Sequence, residues 1–263
     1  MRASRAGFEM ILILFAGIVA LFAPTVLKTK SLGFIIAPHA LLIVIGGTLC
    51  AVCMSFSFRE ILSAFCSLKS LFTYQANNLQ SCAQDIIEIS KIARSKGFLE
   101  AAQAAQYSQN PFLQSAAEKL ADNTDIKSLE ENLKLTFFCE NKNDFKNIEI
   151  FEEMGGYAPT FGIIGAIIGL VQISALSSDP KSLLSGIATA FIATVYGVGS
   201  ANLIFIPIAK KLKNILEDKL LEQEIIISSI LDMANNQSSI IISEKLNRFL
   251  CEKQNTKVIP FAA

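Results

Sequence analysis

The sequence predicts an all-α integral membrane protein with four transmembrane helices and a helical cytoplasmic domain. Three observations carry this. Four stretches, 10–27, 31–58, 154–178 and 182–209, contain no Asp, Glu, Lys or Arg. Only 17% of the 263 residues are charged and 52% are hydrophobic, giving a mean hydropathy of +0.46; an average soluble domain carries roughly 25% charged residues. Elsewhere, apolar residues recur at helical spacing, and nothing reads as a strand-rich domain, an internal repeat or a low-complexity segment.

A bilayer-spanning helix needs about 20 mainly apolar residues, and a water-facing helix rarely stays free of charge that long because one face must meet solvent. The first stretch only just qualifies. Arg2 and Arg5 before it imitate a signal peptide, but Leu21 stands where a cleavage site needs a small residue and Pro24 follows Ala23, so an uncleaved span is expected. The second stretch holds His39, the single histidine, and the close pair Cys50 and Cys53. With no histidine beside that pair, zinc is not expected, and the six cysteines read as free buried thiols acting as small hydrophobes.

The segment 57–153 reads as a cytoplasmic helical loop. Ile86, Ile87, Ile89, Ile92 and Ala93 fall near helical spacing, and Gly97 is a stop. Pro111 opens a further helix after Asn110. Leu129, Leu133, Phe137 and Phe138 lie on a helical pattern that meets no Pro or Gly before Gly155, so the third span is expected to continue it as one long rod. After the third and fourth spans (154–209), the tail (210–263) is expected to prolong the fourth span to about residue 249 through Leu212, Ile215, Leu216, Leu220, Leu221 and Ile225, with its last dozen residues disordered. The two rods would bury these stripes against each other. The first domain, 1–56, comprises spans one and two.

Arg2, Arg5, Arg59, Lys210, Lys211 and Lys213 flank one side of the spans; Lys28, Lys30, Asp179 and Lys181 flank the other. The positive-inside rule places both termini and the large loop in the cytoplasm. Lys+Arg and Asp+Glu balance at 23 each, so charge offers no argument for nucleic acid.

The third and fourth spans carry the chemistry. Gly162, Gly165, Ala166 and Gly169 make a small-residue face, and Gly186, Ala190, Ala193, Thr194 and Gly197 make another. Such faces let helices approach closely in lipid, and plain packing accounts for most of these residues. Thr189, Thr194 and Ser200 add hydroxyls that either bond their own backbone or ligate a passing ion or water. Pro159 and Pro207 fall at similar depth near the inner ends of antiparallel spans, as a pair of kinks, hinges or simple caps. No Asp or Glu lies inside a span, and Glu9 stands at the edge of the first. A side-chain proton relay needs an ionisable group at depth, so conduction would require a partner's carboxylate.

The run Gly155-Gly-Tyr-Ala-Pro159-Thr-Phe-Gly-Ile-Ile-Gly-Ala166-Ile-Ile-Gly-Leu, then Ser178-Asp-Pro180-Lys, Gly186-Ile-Ala-Thr-Ala-Phe-Ile-Ala-Thr194-Val-Tyr-Gly, and Ala201-Asn-Leu-Ile-Phe-Ile-Pro207-Ile-Ala-Lys-Lys-Leu resembles the MotA/PomA family of flagellar stator subunits. Pro38-His-Ala-Leu, Ile45-Gly-Gly-Thr48 and Arg94-Ser-Lys-Gly97 agree with it. The resemblance implies an inner-membrane homo-oligomer, a pentamer, around a pair of MotB-like helices that supply the ion-carrying aspartate and a peptidoglycan anchor. It implies torque on the rotor protein FliG for motility. Pro159 and Pro207 match the family's functional prolines, Thr194 its channel-facing threonine, and Arg94 its rotor-contacting arginine. Ala166 occupies a position where sodium-driven members carry threonine; alanine offers no side-chain oxygen, which favours protons over sodium as the translocated ion. The family's loop glutamate falls at Ala102 here, with Glu100 nearby as the substitute rotor contact; a solvated surface residue explains Arg94 and Glu100 equally well.

Two other readings compete. An ExbB/TolQ-like channel subunit energising transport would have three spans, and a non-conducting membrane scaffold would need only the packing faces. No nucleotide loop, metal cluster, cofactor motif or Ser/His/Asp set suggests an enzyme.

Overall fold

The computed structural model describes residues 37–73, 79–122, 125–176 and 180–255, with Leu12, Ala16, Gly17 and Val19; of residues 73, 175, 176, 180–185, 189 and 250–255 it describes the backbone alone. The expected first span, the flanking Arg2, Arg5, Lys28, Lys30 and Asp179, and the final residues of the tail lie outside the described residues. Among the described residues every regular element is helical.

The chain divides into two compact units: Met1–Gln75 with Asn143–Asn214, and Ala76–Lys142 with Ile215–Ala263. In the first, α1 (Pro38–Ser55) opens on Pro38, whose missing N–H costs nothing in a first turn. It ends where Phe56 turns extended. Ser57 and Glu60 then form a reciprocal capping box: the Ser57 N–H donates to Glu60 Oε2 at 2.9 Å, and the Glu60 N–H donates to Ser57 Oγ at 3.4 Å. This box starts α2 (Phe58–Thr73), whose Phe65 meets Phe151 edge to face.

In the second unit, α3 (Leu79–Lys96) buries Cys82, Ala83, Ile86, Ile89, Ser90 and Ala93 on one face. Gly97 stops it with φ +97°, a conformation other residues avoid. After α4 (Phe98–Ala105), Asn110 caps α5 (Pro111–Asp122) by accepting the Leu113 N–H at 3.1 Å. Leu113, Leu120, Leu129, Leu133, Ile226 and Ile230 lie in the unit's core, each almost fully buried.

Two helices run through both units. Asp125 caps α6 (Ile126–Leu176), which continues without a break into the third apolar stretch, as the sequence predicts. The fourth apolar stretch is α7 (Pro180–Ser200), a π-helical segment (Ala201–Phe205), and the start of α8 (Ile206–Ala234). The expected tail stripe is present, with Leu212, Leu216 and Ile225 buried, but the helix does not reach residue 249. Asn236 adopts φ 55°, its N–H bonds the Met233 carbonyl, and the Gln237 N–H bonds the Asp232 carbonyl. This is a Schellman stop, and α9 (Ser239–Asn255) follows it. The Lys245 ammonium returns to Asp232 at 2.8 Å.

Among the described residues, three helical stretches are long and apolar enough to cross a membrane: Pro38–Ser55, Ile126–Ser174 and Gly186–Ala234. The cysteines depart from expectation. Cys82 is buried, whereas Cys50, Cys53, Cys66 and Cys139 are exposed. Cys50 and Cys53 stand on the exposed surface of the apolar helix α1.

Candidate functional site

The two small-residue faces meet. A Cβ on Gly197 would lie 2.5 Å from the Ala158 carbonyl oxygen and 2.9 Å from Gly162 Cα; one on Gly162 would lie 3.0 Å from the Ala193 carbonyl oxygen. Farther along, Gly165 approaches Ala193 Cβ, and Gly169 approaches Ala190 Cβ, as a Cβ on either would come within 3.1 Å. The backbones of α6 and α7 therefore touch along a seam that any larger residue would force open. Ile43 of α1 packs beside Gly165. Ala166 is half-buried in α6, next to this seam.

Pro159 lies inside α6, which remains helical through it. One turn earlier, Gly155 faces Ile206, the residue before Pro207; a Cβ there would come within 2.8 Å of Ile206 Cγ1. The π-helical segment has a physical cause in Pro207. Proline lacks the N–H that would bond the carbonyl four residues back, and its ring presses on that carbonyl. The wider turn relieves this: the Ile206 N–H bonds the Ala201 carbonyl, five residues back. A π segment of this kind often marks a functional position in a helix, and only the structure revealed it.

The hydroxyls separate. Ser200 Oγ donates to the Gly197 carbonyl at 3.1 Å, so simple backbone bonding accounts for it. Thr194 is half-buried and lines a groove of about 300 Å³ with Val195, Val198, Gly199, Asn202 and Leu203. Asn202 turns its amide onto the Val198 carbonyl at 2.9 Å, and the groove that Thr194 helps to line has an almost wholly apolar wall. Thr189 belongs to α7, but its side chain is outside the described residues.

In the second unit, Arg94 and Glu100 are both exposed, on either side of Gly97. Ala102 is 7% exposed and packs in the core, so no charge could be carried there. Arg94 borders a cavity of about 250 Å³ whose other walls include Phe98, Met233 and Gln237. Beneath the surface, Glu222 is buried and accepts a hydrogen bond from Asn110 Nδ2 at 2.8 Å. Burial, followed by the Glu222 and Asp85 charges, pushes the Cys82 thiol up to about 12. Among the described residues no cluster of three His, Cys, Asp or Glu could hold a metal.

The sequence model of the MotA/TolQ/ExbB proton channel family matches residues 104–225. The chain is 30% identical to the uncharacterized protein YtxD of Bacillus subtilis over 196 residues, 74% of this chain and 72% of that one. It belongs to the MotA/TolQ/ExbB proton channel family. Within that family it is also 28% identical to the chemotaxis protein PomA of Vibrio alginolyticus over 222 residues, covering 84% of this chain and 87% of PomA. Its structure superposes on a chain of the flagellar MotAB stator complex of Bacillus subtilis with TM-score 0.81 at 27% identity, covering 95% of this chain and 97% of the other. This member of the MotA/TolQ/ExbB family is a flagellar stator subunit of the MotA type, a membrane protein of the bacterial motor that couples ion flow to motility.

Proposed function

We propose that this chain is a four-span inner-membrane subunit, with both termini and the large loop cytoplasmic, that converts proton flow into torque. The observation that carries the reading is the α6–α7 seam, with Thr194 on one flank and the Pro159 and Pro207 pair at one end. Thr194, Thr189 and Ala166 line the ion path; Pro159 and Pro207 form the hinge. Arg94 and Glu100 contact the rotor protein FliG, a role that their exposure permits. The spans supply no carboxylate of their own, so a MotB-like partner supplies the ion-carrying aspartate and the peptidoglycan anchor. The protein works as a homo-oligomer in lipid, a pentamer around that partner, with no catalytic role and no bound cofactor.

One charge crossing about 150 mV releases roughly 3.5 kcal/mol, enough to bias a conformational step at such a hinge. Alanine at 166 favours protons because sodium wants oxygen ligands. The test is the rotation of tethered cells carrying the protein, its partner and a compatible rotor, with the proton motive force and the sodium gradient varied separately. Speed should follow the proton motive force and ignore sodium; speed that follows sodium removes the proton assignment.

A further inference from the structure

The start of α1 raises a problem of hydrogen bonding that α7 solves. Ala37 precedes Pro38 and is 7% exposed. Its carbonyl already accepts the Leu41 N–H, and no side chain of its own helix caps this terminus. The Ala37 N–H therefore needs a partner from elsewhere, because a buried amide left without a hydrogen bond is strongly unfavourable. It finds the Tyr196 hydroxyl, 159 residues away, at 3.2 Å. Ala37, Ala40 and Ala193 pack into one small cluster there, with Ile192 and Tyr196 against it.

Tyr196 lies two residues after Thr194 on the same helix. At 100° per residue the two side chains leave α7 about 200° apart, one toward α1 and the other toward the groove. Along the intervening edge, Ala193 and Gly197 touch α6 through contacts that involve no side-chain hydrogen bond. The glycine–alanine seam sets how closely the two helices approach but carries no side-chain hydrogen bond of its own. The phenol-to-amide bond is directional.

We infer that Tyr196 is the rotational anchor of α7: by bonding the Ala37 amide of α1, it sets the direction in which Thr194 faces the groove. Tyr196 is thus a positioning residue for ion passage, and its consequence for speed rests on the proposed role of Thr194.

The experiment uses the full stator complex in native membranes. Reporter cysteines are placed singly at Val198, on the groove face, and Ile192, on the α1 face, each with Tyr196 or with Tyr196→Phe. Labelling by membrane-permeant N-ethylmaleimide is read peptide by peptide by mass spectrometry, with Cys50 and Cys53 as internal references. The labelling ratio of 198 to 192 should shift at least threefold in Tyr196→Phe, whatever the amount of protein that accumulates. An unchanged ratio overturns the anchor. Rotation speed forms the second arm: Tyr196→Phe should slow the motor with Thr194 present and add no further slowing to Thr194→Ala. Independent, multiplicative slowing would assign Tyr196 a merely structural role and overturn the proposal. A shifted ratio with Thr194→Ser and Thr194→Ala both turning at normal speed leaves the anchor standing and removes Thr194 from the ion path.

Discussion

The two units of this chain hold themselves together by opposite means. In the unit that contains α1 and the α6–α7 seam, contact is made by the absence of side chains, with Gly162, Gly165, Gly169 and Gly197 against alanines and backbone. Its hydroxyls and amides mostly bond their own helix: Thr48 to the Val44 carbonyl, Thr160 to Tyr157, Asn202 to Val198. In the other unit, large apolar side chains fill a common core, and polar side chains bond across helices. Asn141 Nδ2 donates to Gln223 Oε1 at 2.6 Å, Gln223 Nε2 donates to Glu140 at 2.9 Å, and Ser108 Oγ donates to Asp85 at 2.6 Å. The difference follows from the solvent each pattern suits. Water drives bulky apolar groups together in proportion to the area they bury. Lipid offers no such force, so close van der Waals approach and internally satisfied polar groups take its place. The Tyr196–Ala37 bond is instructive beside these, because it joins two helices of the same unit.

The comparison can be broken by removing volume from one unit and adding it to the other. Leu133→Ala empties a site that is 1% exposed in the bulky core and should cost about 2–5 kcal/mol, seen as a lower midpoint in thermal unfolding of the purified complex. Gly197→Ala makes the opposite change and should also destabilise, by about 1–3 kcal/mol, because the added carbon meets the Ala158 carbonyl rather than a movable side chain. A neutral Gly197→Ala would mean that the seam is not close-packed, and the contrast would fail. The smallest effect sharpens the picture of the bulky core. With its pKa raised from 9.0 to about 12, the Cys82 thiol stays protonated at neutral pH. Its folded environment favours the protonated form, so the stability it contributes is complete below about pH 9 and is lost as pH rises toward about 12. N-ethylmaleimide should label exposed Cys139 readily at pH 8 and leave Cys82 unreacted until the unit unfolds, with the modified peptides identified by mass spectrometry.

Local signals were read correctly wherever the cause is local. Gly97 and Pro111 punctuate helices through their own backbone chemistry, and α6 runs unbroken because nothing between Ile126 and Gly155 can stop a helix. The Asn235-Asn236 pair carried a stop signal too, and the apolar stripe on both sides of it hid the break. The burial of Ala102 and the exposure of Cys50 and Cys53 depend on which way a helix faces, which periodicity alone leaves ambiguous for residues that are neither strongly polar nor large.

By itself the sequence determined the helical class, the apolar stretches and the resemblance to the stator family, because charge-free length and a near-continuous motif are properties of the chain read in order. Only the tertiary structure decided that the two small faces meet at Gly162 and Gly197, that Pro207 is accommodated by a π turn, that Glu222 is buried against Asn110, and that Tyr196 satisfies the Ala37 amide. Each of these depends on partners far apart in sequence or on a backbone adjusting to a steric demand. Hydrogen bonds and close contacts are satisfied in space, and no spacing along the chain records them.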